Sequence, residues 1–344
     1  MSTEAETIAG LLAAFIGARN PAARDVSISG VRRAGSGSSS ENWLFEAEWT
    51  QRAEPVAKKL VLRRAPENEI VLAAREDEFH ILKALERTSL LVPRALWMDD
   101  DGRWLGRPAM LVERCEGRDD RCLLTNRNVA GIDVATRVNL ARQMAELLAK
   151  VHSVDVEGLQ LPEKLRESGK ETVAEQLDRA VRGCRAQEVE PSVELRLAEW
   201  WLCENIPQPA GKVLVHGDFR PANMLVADGR ITALLDWELA YVGDPLADLG
   251  WYLAPTYRSE HFIEGHWSER DFLKRYEEVR GVHVDRRALR FWMVFAHYKL
   301  ATMANAAMKA FLAGDAGRIA TRPERIFRPL LEMIADEGAH MGYA

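Results

Sequence analysis

The chain has 344 residues, 47% of them hydrophobic and 28% charged, with a formal net charge of -6. That is the balance of a globular protein long enough to bury a sizeable core, and it excludes a disordered or low-complexity chain. The acidic balance and the lack of a basic tract argue against nucleic acid as a partner, and no apolar run reaches the roughly eighteen residues of a membrane span. Four cysteines without paired metal spacing (Cys115, Cys122, Cys184 and Cys203) fit a reduced thiol set. Glu4 and Glu6 stand where a signal peptide would carry Lys or Arg, so a cytoplasmic location is expected.

In chain order, residues 3–18 place Ile8, Leu11, Leu12, Phe15 and Ile16 on one side of a predicted amphipathic helix. Residues 26–28 read as a strand, residues 34–42 as a Gly/Ser-rich turn, and residues 43–49 alternate as a second strand. Such a turn can cover an anion with its backbone N–H groups and hydroxyls, although a plain flexible hairpin reads the same way. Residues 56–64 form the next strand. Period-two alternation puts Leu60 and Leu62 on one face and Lys59, Val61 and Arg63 on the other. Residues 73–85 predict a helix with Phe79, Leu82 and Leu85 at helical spacing and Glu78 beside that face. Asp99, Asp100 and Asp101 before Gly102 read as a solvated turn between two strands rather than a metal site. Residues 108–117 form a further strand running into a Gly. From residue 129 the pattern is helical: Leu140, Met144, Leu147, Leu148 and Val151 mark a buried helix ending at His152, read as a packed or capping histidine. Residues 163–199, 271–279, 286–311 and 323–337 predict further helices.

Residues 213–252 carry the chemistry. An apolar run enters the string His216-Gly217-Asp218-Phe219-Arg220-Pro221-Ala222-Asn223, and a second run leaves it. A tight turn at residues 227–230 returns a strand that ends at Asp236. Asp218 and Asn223 thus lie on a loop, with Asp236 one hairpin away, an arrangement that can bring the three side chains together. Phosphoryl transfer needs such a set: a carboxylate beside the attacking hydroxyl and oxygen ligands for Mg²⁺ on the phosphates.

On these residues the chain resembles the aminoglycoside phosphotransferase and choline kinase group of small-molecule kinases, most strongly over residues 214–253. The resemblance implies an α+β, bilobal protein-kinase-like fold: a β-rich N-lobe over residues 1–115 that binds ATP, and a mainly helical C-lobe over residues 116–344. By the same resemblance Asp218 orients the acceptor hydroxyl and takes its proton, and Arg220 faces the moving phosphoryl group. Asn223 and Asp236 hold Mg²⁺. Ser39 and Ser40 belong to the loop over the nucleotide, and Glu113 and Cys115 offer hinge backbone to adenine. Arg63 replaces the usual strand Lys, with Lys59 the fallback, and Glu78 (or Glu76) pairs with it. His216 and Asp248 prop the loop, while Asp244-Pro245 serves either as a helix start or toward the substrate.

The expected activity is ATP- and Mg²⁺-dependent transfer to a hydroxyl of a small molecule. The alternative is a catalytically weak nucleotide-binding sensor or partner-binding module. A protein kinase is disfavoured by Asp236-Trp237-Glu238 in place of Asp-Phe-Gly. An aminoglycoside kinase needs a strongly acidic cleft. Residues 155–200 hold eleven Asp and Glu against seven Lys and Arg, spread round the predicted helices as solvated faces are. Residues 251–280 hold Trp251, Tyr252, Tyr257, Phe262 and Trp267, which belong either to the core or to the wall of an acceptor site. A neutral or hydrophobic alcohol, or a hydroxyacyl compound, is the expected acceptor.

Overall fold

The computed structural model describes residues 3–34, 41–65, 73–128, 131–314 and 324–335. The chain starts with α1 (Thr3–Arg19), then β1 (Ala23–Arg33), β2 (Glu41–Gln51), β3 (Glu54–Arg64), α2 (Ala73–Leu85), β4 (Ala95–Asp99) and β5 (Ala109–Glu113). The five strands form one antiparallel sheet in the order β1-β2-β3-β5-β4. In β2 the alternation expected from sequence places Trp43, Phe45, Ala47 and Trp49 inward. They meet Leu60 and Leu62 of β3 and the apolar side of α1, where Ile8, Leu12, Phe15 and Ile16 are buried. The opposite face of β3 carries Val61 and Arg63, as the period of two requires.

The rest is mainly helical, with a short β6 (Arg118–Asp119) first. Then come α3 (Val134–Val151), α4 (Glu163–Ser168), α5 (Val173–Gln187) and α6 (Val193–Glu204). The single charged helical stretch expected over residues 163–199 is therefore three helices. The breaks have local causes: Thr172 opens α5 with a capping box to Glu175, and Ser192, after Pro191, caps α6. Next are β7 (Val213–Val215), β8 (Met224–Ala227), β9 (Arg230–Leu234) and β10 (Tyr241–Gly243), with β8 and β9 forming the anticipated hairpin and β7 pairing with β10. Five helices follow: α7 (Leu246–Tyr252), α8 (Arg258–His261), α9 (Glu269–Arg280), α10 (Arg286–Leu312) and α11 (Glu324–Ala335). Among the described residues no helix is long and apolar enough to cross a membrane. This β-rich half followed by a helical half is the bilobal, protein-kinase-like α+β plan.

The two halves share a core. Ile81, Leu82 and Leu85 of α2, with Met110 and Val112 of β5, belong to the same buried cluster as α3 and α7. The acidic triplet is a turn: Asp99 accepts from the N–H groups of Trp104 (3.0 Å) and Leu105 (2.8 Å), and Asp101 from that of Arg103.

A charged knot fixes the outer sheet. Glu41, buried on β2, accepts from Trp43 Nε1 (2.5 Å), Arg64 (2.6 Å) and Arg107 (2.6 Å). Burial alone would raise its pKa, but the three donors outweigh that and hold it at about 2. A depressed carboxylate pKa gives stability that is complete above the unfolded value near 4.5 and is lost as pH falls toward 2. Urea midpoints measured across that window should therefore fall more steeply for the wild type than for Glu41→Gln.

Candidate active site

The loop between β7 and β8 is shaped by backbone hydrogen bonds. Asp248, fully buried on α7, accepts from the N–H groups of His216 (2.7 Å) and Gly217 (2.8 Å). It also accepts from His152 Nε2 (3.0 Å), and His152 Nδ1 in turn accepts from Tyr276 Oη (2.8 Å). Burial would push the Asp248 pKa up; the hydrogen bond from His152 and the loop N–H groups outweigh it and hold the carboxylate below its ordinary value. Gly217 sits at φ +84°, and a Cβ there would lie 2.4 Å from the Leu239 carbonyl oxygen. Only glycine meets both conditions. His216, buried, donates from Nε2 to the Leu235 carbonyl (2.9 Å) and accepts the Asp218 N–H at Nδ1 (3.2 Å), which fixes the neutral Nε2–H tautomer.

The frame presents Asp218. Its Oδ2 accepts from Asn223 Nδ2 (2.9 Å) and forms an ion pair with Arg220 Nε (3.1 Å), too bent for a hydrogen bond. Its Oδ1 accepts from Trp251 Nε1 (3.0 Å). Burial raises the Asp218 pKa, opposed chiefly by Arg220. Asn223 stands in a single 3₁₀ turn, Pro221–Asn223. Its amide nitrogen donates to the Asp218 carbonyl (2.8 Å) as well as to the carboxylate, which leaves the amide oxygen as its ligand atom. Asp236, just past β9 and at φ +68°, meets Arg63 Nη2 at 3.2 Å. Arg63 Nη1 donates to Glu78, which also accepts the Trp237 N–H (3.3 Å). One guanidinium thus ties β3, α2 and the end of β9 together.

Of the residues expected from sequence, Asp218, Arg220, Asn223, Asp236, Arg63 and Glu78 converge. Of the alternatives, Lys59 is exposed, and Glu76, also exposed, lies beside His80 rather than Arg63. Glu113 ends β5, with its side chain paired to Lys58, and Cys115 follows half-buried, burial raising its thiol pKa. Ser39 and Ser40 lie outside the described residues. Asp244 accepts the Leu246 N–H (2.8 Å) and the Ala210 N–H (2.7 Å), so it opens α7. Three of the five aromatic residues expected for an acceptor wall (Trp251, Tyr252 and Trp267) are buried, and Tyr252 stacks on Phe272. The Trp251 bond to Asp218 and the tie between His152 and Tyr276 have no counterpart in the sequence reading. The only prior signal for Trp251 is its place three residues after Asp248, on the same helix face.

This constellation between a β-rich and a helical half defines a kinase-like phosphotransferase fold. A family model described as the phosphotransferase enzyme family matches residues 30–292, and the chain belongs to that family. Mouse acyl-CoA dehydrogenase family member 10 is 27% identical over 274 residues, which make up 75% of this chain and 25% of the mouse protein. The chain therefore spans about a quarter of that relative's length. A Ralstonia eutropha JMP134 protein provisionally assigned as an aminoglycoside phosphotransferase superposes with a TM-score of 0.72 at 23% identity, covering 94% of this chain and 96% of that one. A thermostable aminoglycoside phosphotransferase in a complex with ADP and hygromycin B gives a TM-score of 0.59 at 16% identity, covering 96% and 99%.

Asp248→Ala should cost about 2–6 kcal/mol of stability, because it strands two loop N–H groups in the interior at about 1–3 kcal/mol each. Urea unfolding followed by tryptophan fluorescence measures this, and a loss no larger than that of an average surface substitution would contradict it.

Proposed function

We propose that the protein transfers the terminal phosphoryl group of ATP, with Mg²⁺, to a hydroxyl of a small molecule. The observation that carries this reading is the nearness of two bonded pairs: Asn223 holds the Asp218 carboxylate, Arg63 holds Asp236, and Asp236 lies close enough for its charge to raise the Asp218 pKa. The residues fit a polyphosphate and its cation. Arg63 and Arg220 bring two guanidinium groups to the carboxylates Asp236 and Asp218, the positive charge that a polyphosphate calls for. The Asn223 amide oxygen and the Asp236 carboxylate are the hard oxygen ligands that Mg²⁺ prefers. When bound, the ion would neutralise charge on the phosphates.

In this mechanism Asp218 holds the acceptor hydroxyl and takes its proton. Its raised pKa brings it closer to working pH, where a carboxylate is a more effective base. Arg220, 3.1 Å from that carboxylate, stabilises the charge that develops on the transferring group. Arg63 holds the non-transferred phosphates, aimed by Glu78; its planar fork serves where a Lys would offer a point charge. The pairing of Arg63 with Glu78 and Asp236 weighs against a degenerate, non-catalytic nucleotide site.

The acceptor in this reading is a neutral or hydrophobic alcohol or a hydroxyacyl compound, not an aminoglycoside. Four carboxylates of residues 155–200 are tied up in ion pairs with arginines of the same segment. Glu171 meets Arg179, Asp178 meets Arg182, and Glu188 and Glu199 meet Arg196. Tyr257 and Phe262 remain half-buried near the loop. The name of the mouse relative, an acyl-CoA dehydrogenase, favours an acyl-bearing alcohol.

A panel of alcohols, hydroxyacyl compounds and aminoglycosides assayed for ADP release tests the proposal. Asp218→Asn should keep the fold and ATP binding and lose about 10²-fold or more in turnover. An aminoglycoside turned over with a kcat/KM in the range of natural substrates, about 10⁴–10⁸ M⁻¹s⁻¹, would refute the acceptor assignment. Calorimetric titration separates the two basic residues of β3: Arg63→Ala should weaken ATP binding more than Lys59→Ala, and the reverse order would move the phosphate site.

A further inference from the structure

Trp251 was a candidate for the acceptor wall, yet its indole is 6% exposed and its N–H points at the proposed base. The geometry assigns it a different task. We infer that Trp251 is a positioning residue for Asp218, holding the carboxylate in one orientation and leaving Oδ1 as the proton-accepting atom. The inference rests on the kinase reading only for its catalytic consequence; the contact itself is independent of it.

The account starts from the carboxylate's hydrogen bonds. Asp218 Oδ2 is occupied by Asn223 Nδ2 and the Arg220 guanidinium. Oδ1 takes the Trp251 N–H at 3.0 Å, and a carboxylate oxygen has a second lone pair. Indole suits this place chemically, because it donates one hydrogen bond, accepts none and carries no charge. It can fix the carboxylate without competing for the acceptor's proton. An Asn or a His here could accept that proton or bind the hydroxyl instead.

The support is rigid. Asp248 and Trp251 lie three residues apart on α7, hence on one face, so a single helix holds both the loop backbone and the catalytic carboxylate. Gly250 sets that helix in place: a Cβ there would fall 2.5 Å from the Trp292 carbonyl carbon on α10. Trp251 also packs on Tyr257, with ring centroids 5.9 Å apart.

The test is Trp251→Phe, which keeps a ring in the packing and deletes the donor; Trp251→Tyr makes the same test should Phe fail to fold. The first readout is the indole ¹H–¹⁵N resonance of Trp251, assigned as the one missing from Trp251→Phe and followed into Asp218→Ala. The second is the split between kcat and KM for ADP release from MgATP with the best acceptor of the panel. We expect the resonance to move upfield in the proton dimension once its acceptor is gone, kcat of Trp251→Phe to fall by about tenfold, and the KM for ATP to stay within about twofold. A resonance unmoved in Asp218→Ala, or a wild-type kcat in Trp251→Phe, overturns the inference. A moved resonance in a protein that phosphorylates none of the panel compounds upholds the inference and sinks the kinase reading instead.

Discussion

The loop between β7 and β8 depends on one buried carboxylate. Asp248 has no exposed surface, and its oxygens satisfy two consecutive backbone N–H groups that would otherwise point into the protein with no ladder to join. A loop that must present Asp218 outward cannot also pair its own backbone, so the pairing comes from another element. Its cost is a desolvated charge, offset by His152, whose remaining ring nitrogen is held by Tyr276. The chain Tyr276–His152–Asp248–loop draws on α9, α3 and α7, so three helices distant in sequence set the position of a few atoms. Without that carboxylate, the backbone N–H groups of His216 and Gly217 lose the acceptor that anchors the start of the loop.

A second constraint joins the sheet to this frame. Arg63 contacts Glu78 and Asp236 at once, so β3, α2 and the end of β9 cannot drift apart without separating a largely buried cation from both partners. Breaking such a pair is costlier than its net worth in the folded state, because an uncompensated charge is left inside. Asp236 reaches the meeting point from a left-handed backbone conformation, which a non-glycine residue adopts at some cost. That strain lies beside the proposed metal ligands, where an outlier has a function to serve.

Much of this was legible in the sequence, for physical reasons that differ by element. β2 and β3 bury one face each, so their period of two is visible and puts Lys59, Val61 and Arg63 on the face opposite Leu60 and Leu62; the choice of Arg63 comes from the family resemblance. Asp218, Asn223 and Asp236 were legible because their chemistry needs fixed spacing along a loop and hairpin. Other features had no local signature. The turn between β2 and β3 places Arg52 and Ala53 at positive φ, where Gly or Asn would have announced it. The indole of Trp251 looks like any core ring until its N–H direction is known. His152 reads as a helix-end histidine because its two partners lie 96 and 124 residues away.

The cluster that α2 and β5 share with the helical half bears on how this unit can be divided. A cut at the hinge, where a bilobal reading places the boundary, would run along the margin of a continuous apolar interior. Ile81, Leu82, Leu85, Met110 and Val112 would all meet water on the excised piece. At about 1.5–3 kcal/mol for each such side chain, that is roughly 10 kcal/mol, as much as many whole domains have to spare. The β-rich half is therefore not a transplantable module. Either half made alone would carry a sticky seam, and the stretch that evolution can shuffle between longer proteins is the entire two-lobed body.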